Sequence, residues 1–163
     1  MPNKRIIGIM GPGEGATPGD RETAFQLGKA IAELGYTILT GGRDCGVMEA
    51  AMKGAKTTGG MTIGILPGAN KEGMSEYTDF PIITNLGNAR NSINVLSADI
   101  VVAIGVGLGT VSEIMLALKA GKKVIVTNQT QESISFLASL ENKNLFIKNN
   151  TKEVSSTIHT LLK

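Results

Sequence analysis

The chain has 163 residues, 42% hydrophobic and 18% charged, and its 16 basic and 14 acidic side chains leave a formal net charge of +2. This length fits one domain, residues 1–163, with a core that needs no disulfide or metal, while so small a charge and 4% aromatics disfavour a nucleic-acid partner. No apolar run is long enough for a bilayer span, Met1-Pro2-Asn3-Lys4-Arg5 does not open a signal peptide, and Cys45 stands alone, so a cytoplasmic protein without a protein-ligated metal is expected.

Residues 5–10 read as a buried strand, short and nearly all apolar, closed by Gly11-Pro12-Gly13. A helix follows, with Thr17 as N-cap and Pro18 at its first position. Ala24, Leu27, Ile31 and Leu34 recur at helical steps until Gly35 stops it. Residues 36–40 form the second strand. After Gly41-Gly42 a helix carries Val47, Met48, Ala51, Met52 and Ala55, and Gly59-Gly60 separates it from the strand 61–66. Residues 67–79 are polar, glycine-rich and long for a connection, which makes them the candidate for a mobile loop over a site.

The alternation continues with a strand at 81–84, a helix at 88–97, a strand at 100–104, a helix at 110–120 and a strand at 123–127. A helix from Gln131, a strand at 145–147 and a last helix capped by Thr151 complete it. Alternating strands and helices, with strands apolar on both faces, predict a single doubly wound α/β domain. Its mostly parallel sheet is covered by helices on both faces.

Such sheets bind ligands beyond the carboxyl ends of their strands, and three of those ends are stripped of side chains here. They are Gly11-Pro12-Gly13-Glu14-Gly15, Gly41-Gly42 and Gly105-Val106-Gly107-Leu108-Gly109-Thr110. One such loop is explained by a tight turn. Three at one sheet edge point to backbone amides converging on an anion, with phosphate as the natural guest. A dinucleotide is excluded, because Thr17-Pro18 starts the helix too late for a pyrophosphate cradle and the second strand ends without a carboxylate for a ribose. No Gly-Lys-Ser/Thr exists for a nucleoside triphosphate.

Arg90, early in its helix, is either an exposed helix arginine or a guanidinium that holds a phosphate or orients a sugar. Thr110-Val111-Ser112-Glu113 has the form of a capping box, which gives Glu113 a structural task, while a carboxylate beside a phosphate nest also suits glycosidic cleavage. His159 reads as a surface residue and the seven methionines as core filling. The helix 110–120 carries Val111, Ile114, Met115, Leu116, Ala117, Leu118 and Ala120 nearly all the way round, which predicts a homo-oligomer.

Gly107-Leu108-Gly109-Thr110-Val111-Ser112-Glu113, preceded by Arg90, resembles the signature of the lonely-guy (LOG) phosphoribohydrolases. That likeness implies a Rossmann-like domain in which Arg90 and Glu113 are catalytic and nucleoside 5′-monophosphates yield free base and ribose 5-phosphate. Gly105-Val106 replaces that family's proline-glycine lead-in, and Asn88-Ala89-Arg90-Asn91 its charged run. A second resemblance covers nearly the whole chain. Ile7-Gly8-Ile9-Met10-Gly11-Pro12-Gly13, Thr40-Gly41-Gly42-Arg43, Gly46-Val47-Met48, Gly54-Ala55-Lys56 and Gly87-Asn88-Ala89-Arg90-Asn91-Ser92-Ile93-Asn94 together resemble the molybdenum cofactor carrier proteins of the same superfamily.

The second resemblance implies binding without turnover of molybdenum cofactor or molybdopterin, a dimer or tetramer, and cofactor-accepting molybdoenzymes as partners. The expected contacts are Gly11, Gly13, Gly41, Gly42, Gly46, Asn88, Arg90, Gly105, Gly107, Gly109 and Thr110. The phosphate is expected on the 105–110 loop. The carrier is the leading expectation and the phosphoribohydrolase the alternative.

Overall fold

The computed structural model describes residues 4–163; Met1, Pro2 and Asn3, part of the segment weighed above as a leader, lie outside the described residues. The strands are β1 (Ile6–Met10), β2 (Thr37–Thr40), β3 (Thr62–Leu66), β4 (Phe80–Ile83), β5 (Ile100–Ile104), β6 (Lys123–Thr127) and β7 (Leu145–Ile147). The helices are α1 (Pro18–Glu33), α2 (Gly46–Lys56), α3 (Asn91–Ser97), α4 (Leu108–Lys119), α5 (Gln131–Ser139) and α6 (Thr151–Leu161). The strands form one seven-stranded sheet in the order β4-β3-β2-β1-β5-β6-β7, with every neighbouring pair parallel. This is the doubly wound, Rossmann-like α/β arrangement.

Strand alternation builds two cores. Ile100, Val102 and Ile104 of β5 join Ile7 and Ile9 beneath α1, α2 and α6, whereas Val101 and Ala103 join Met10, Val124 and Val126 beneath α3, α4 and α5. A parallel sheet needs such cover on both faces, which is why its strands read as continuous apolar runs. On the first face, Gly28 of α1 lies against the Ala51 carbonyl and Gly54 of α2 against the Phe25 carbonyl, so a β-carbon at either would strike backbone. The chain runs outward from β1 to β4, returns to β5 beside β1, and runs outward again to β7. The reversal leaves a crevice beyond the carboxyl ends of β1 and β5.

Thr17 caps α1 as expected. Its hydroxyl accepts from the Asp20 N–H at 3.1 Å, and the Asp20 carboxylate accepts from the Thr17 N–H at 3.0 Å. Three other helix starts differ from expectation. The segment expected as one helix at 88–97 opens as a 3-10 turn, Gly87–Arg90, before α3. The last helix is capped by Asn150, whose side chain accepts from the Glu153 N–H at 2.9 Å, so Thr151 is its first residue. And α4 begins two residues early, at Leu108 behind extended Gly107, which places Thr110 inside the helix and leaves the Thr110–Glu113 capping box unformed.

The 67–79 segment, expected as a mobile loop over a site, is tied to the loop after β2, to α2 and to β3. Met74 bridges Arg43, the Ser75 N–H donates to the Gly42 carbonyl at 2.9 Å, and Asp79 accepts from Lys56 Nζ at 2.8 Å and from the Thr62 N–H at 2.9 Å. Among the described residues, no helix is long and apolar enough to cross a membrane.

Candidate functional site

At the crevice, the glycine-rich loops enclose a cavity of about 420 Å³. Gly11, Pro12, Gly13 and Glu14 line it after β1, Gly41 and Arg43 after β2, and Asn88, Arg90 and Asn91 from the 3-10 turn and the start of α3. Residues 106–110 and Glu113 close the remaining side.

The start of α4 is the electropositive wall. Gly107 is extended and no side chain caps this end; the first helical bond runs from the Val111 N–H to the Gly107 carbonyl at 2.8 Å. The amides of Leu108, Gly109 and Thr110 therefore precede the hydrogen-bonded ladder, at the positive end of the helix dipole. Thr110 is 2% exposed and its hydroxyl oxygen has no hydrogen-bond partner. A buried hydroxyl without a partner is costly, and here it lies in the lining of the cavity. The start of α1 is different, because its own Asp20 already occupies the position an anion would take.

Arg90 and Glu113 form the floor. Arg90 is 8% exposed, so the exposed-arginine reading does not hold; Nη1 donates to Asn91 Oδ1 at 2.7 Å, and Nε is buried without a partner. Asn91 is held in turn by donating to Ser112 Oγ at 3.0 Å. Burial holds the Arg90 guanidinium below its ordinary pKa, Glu113 acts against that shift, and Arg43 adds to it. Glu113 caps nothing: Oε1 accepts from Asn94 Nδ2 at 2.9 Å. Burial pushes its pKa up from 4.5 to about 7, against the opposing effects of the Asn94 bond and Arg90. The site thus offers free amides, an unpartnered hydroxyl, a buried cation and a carboxyl group poised between its two forms.

Of the residues expected at the site, Gly11, Gly13, Gly41, Asn88, Arg90, Gly107, Gly109, Thr110 and Glu113 line this one cavity. Gly42, Gly46 and Gly105 do not. Gly46 has φ +58° and lies under the carbonyls of Pro12 and Gly13; Gly42 abuts Gly64; Gly105 covers the Asp20 carboxylate. These three shape the loops from behind. Sequence reasoning gave no role at the site to Glu14, Arg43, Met48, Asn91 or Asn94, and read Met48 as core filling. Asn94 carries no signal of its role in the sequence, because its partner Glu113 lies on another helix. Cys45 is half-buried, its thiol pKa raised chiefly by burial, and it is not in the cavity lining. Among the described residues, no group of three or more His, Cys, Asp or Glu could hold a metal ion.

The family model described as the SLOG cluster4 family matches residues 4–155. The molybdenum cofactor binding protein from the phototrophic bacterium Rippkaea orientalis superposes with a TM-score of 0.97 at 49% identity, over 100% of each chain. The molybdenum cofactor carrier protein of Chlamydomonas reinhardtii superposes with a TM-score of 0.93 at 43% identity, over 98% of this chain and 99% of that one. A cytokinin riboside 5′-monophosphate phosphoribohydrolase of Mycobacterium tuberculosis is 30% identical over 102 residues, which is 61% of this chain and 54% of that protein.

Proposed function

The chain belongs to the SLOG cluster4 family and to the molybdenum cofactor carrier proteins, and from that premise we propose that it binds molybdenum cofactor or molybdopterin as a carrier or storage protein. The pterin's phosphate monoester lies on the amides of Leu108, Gly109 and Thr110. The observation that carries this assignment is the Thr110 hydroxyl, buried and unpartnered beside the uncapped start of α4. A phosphate of about −1.5 to −2 charge brings three acceptor oxygens, so it satisfies that hydroxyl and the free amides together. Gly11, Gly13, Gly41, Asn88 and Arg90 line the space left for the rest of the molecule, and Gly42, Gly46 and Gly105 support it from behind.

The test is an anaerobic titration with molybdopterin, followed through the pterin absorbance and through transfer to a cofactor-free molybdoenzyme. Saturable binding is expected in the wild type and none in Gly107→Asp, which fills the nest and sets a like charge beside the phosphate. Unchanged binding in Gly107→Asp would overturn the placement of the phosphate.

In the same proposal the protein works in the cytoplasm as a homodimer or homotetramer that delivers its cargo to molybdoenzymes. Support for the assembly comes from the outer edge of α3 and α4, where Leu96 is 56% and Leu116 37% exposed around a shallow groove shared with Val95 and Ala120. A second reading is favoured by one observation: Arg90 and Glu113 line the same cavity, the arrangement that a nucleoside 5′-monophosphate phosphoribohydrolase would require. Release of free base from a purine monophosphate, lost in Glu113→Gln with folding intact, would favour the hydrolase.

A further inference from the structure

We propose that Glu113 takes part in ligand binding as a neutral acid, so that filling the cavity with a phosphate ester takes up as much as one proton. The inference rests on the reading that the cavity holds such an ester. Glu113 is 6% exposed, on the turn of α4 that follows the free amides, and it lines the same cavity. An ester phosphate on those amides therefore places close to two negative charges in the space that Glu113 faces.

The groups around Glu113 favour its charged form less than burial disfavours it. From α3 comes Asn94, a neutral donor at 2.9 Å. From the 3-10 turn comes Arg90, whose Nη1 is turned to Asn91 and which forms no ion pair with Glu113; among the described residues the ion pairs are Arg5–Asp99 and Lys56–Asp79. Arg43, from the loop after β2, lines the cavity and opposes the charge on Arg90, and Glu14 lies on the rim after β1. Behind α4, Val101 and Ala103 of β5 and Val124 and Val126 of β6 form an apolar core with Ile114, Ala117 and Leu118. Burial outweighs Asn94 and Arg90 and raises the Glu113 pKa to about 7, so an added dianion makes protonation the less costly state.

The contacts accommodate that state. In the neutral acid Oε1 still accepts from Asn94, while an O–H on Oε2 becomes a donor toward a guest rich in acceptor oxygens. As a carboxylate the same group could only accept. The proton comes from the buffer on loading and returns to it on release, and the uptake approaches one proton per loading event as pH rises above 7, where Glu113 of the empty site is charged. A rise in pH past neutrality therefore favours unloading.

The probe is inorganic sulfate, a dianion that does not itself titrate in this range, bound to the full chain between about pH 6 and pH 9. The expected result is an affinity that falls by up to about tenfold per pH unit above 7, and a flat profile in Glu113→Gln. Calorimetry of the wild type in two buffers of different ionisation enthalpy counts the proton directly and needs no variant. His159, the chain's one histidine, is exposed on α6 and absent from the cavity lining. Saturable sulfate binding that is independent of pH, or that keeps the same slope in Glu113→Gln, would overturn the proton uptake and leave the phosphate site standing. Absence of saturable sulfate binding at every pH would overturn both.

Discussion

Gly41 lies so close to Arg90 that a β-carbon at residue 41 would be 2.7 Å from Nη2 and 3.1 Å from Cζ. Its other near neighbour is Met48 Sδ, at 2.8 Å. Both obstacles are the mobile ends of side chains, so Gly41→Ala is expected to cost the fold no more than about 1 kcal/mol while pushing the guanidinium off its place in the floor. Loss of one charge-assisted bond of about 1.5–3 kcal/mol corresponds to ligand binding weakened by roughly ten- to a hundredfold. A thermal melt and a ligand titration on the same sample would show whether the two effects separate.

Gly46 and Gly107 should respond in opposite ways. A side chain at Gly46 meets two backbone carbonyls at φ +58°, so Gly46→Ala is expected to destabilise the protein by about 3 kcal/mol or to prevent its accumulation. At Gly107 a β-carbon meets nothing nearer than 3.4 Å, so Gly107→Asp should fold normally and fail only in binding. Urea unfolding of the two variants distinguishes a glycine that supports the loop from one that faces the guest.

Glu113 should leave a mark on the pH dependence of stability. It titrates near 4.5 in the unfolded chain and at about 7 in the folded one, so between these values the folded chain holds more protons. Stability therefore falls as pH rises from 4.5 to 7 and levels off above, by roughly 3 kcal/mol in total. Glu113→Gln keeps an acceptor for Asn94 and removes the charge. It should match the wild type near pH 4 and exceed it by about 2–3 kcal/mol near pH 8, as measured by chemical denaturation at both values.

For the assembly, light scattering of the wild type at micromolar concentration should give a multiple of 17.0 kDa. Introducing charge at the edge of α3 and α4, in Leu96→Lys with Leu116→Lys, should shift the population to monomer while the far-ultraviolet spectrum stays unchanged.

Hydrolysis of nucleoside monophosphates should be weak or absent. Arg90 is turned to Asn91 and Glu113 to Asn94, so neither directs its bonded atoms at the centre of the cavity. Chromatographic detection of free base after incubation with a purine monophosphate would measure this.

The strands were legible because each is a short apolar run between turn residues, and β6 and β7 match their expected limits residue for residue. Helix starts were less legible where two signals overlap. Thr110 and Glu113 have the spacing of a capping box, yet α4 starts behind Gly107, three residues before Thr110, so Thr110 lies inside the helix and caps nothing. Glycine content located the site but not the task of each glycine: Gly41 and Gly42 are adjacent, and one faces Arg90 while the other faces Gly64. That difference depends on which strand lies alongside, and β3 contributes it from more than twenty residues away. The tie between Asn94 and Glu113 likewise joins two helices that only the completed sheet brings together.

The Thr17–Asp20 cap at α1 also limits the valence of the guest. In dinucleotide-binding sheets the first helix after the central strand receives a pyrophosphate. Here that address is filled by the chain's own carboxylate, and the open one belongs to α4, on the other side of the crossover. A molecule with one terminal phosphate finds a counterpart for it, whereas a second phosphate reaching toward α1 meets Asp20. If the proposed phosphate placement holds, a pyrophosphate-bearing competitor should displace a bound monoester less readily than another monoester does.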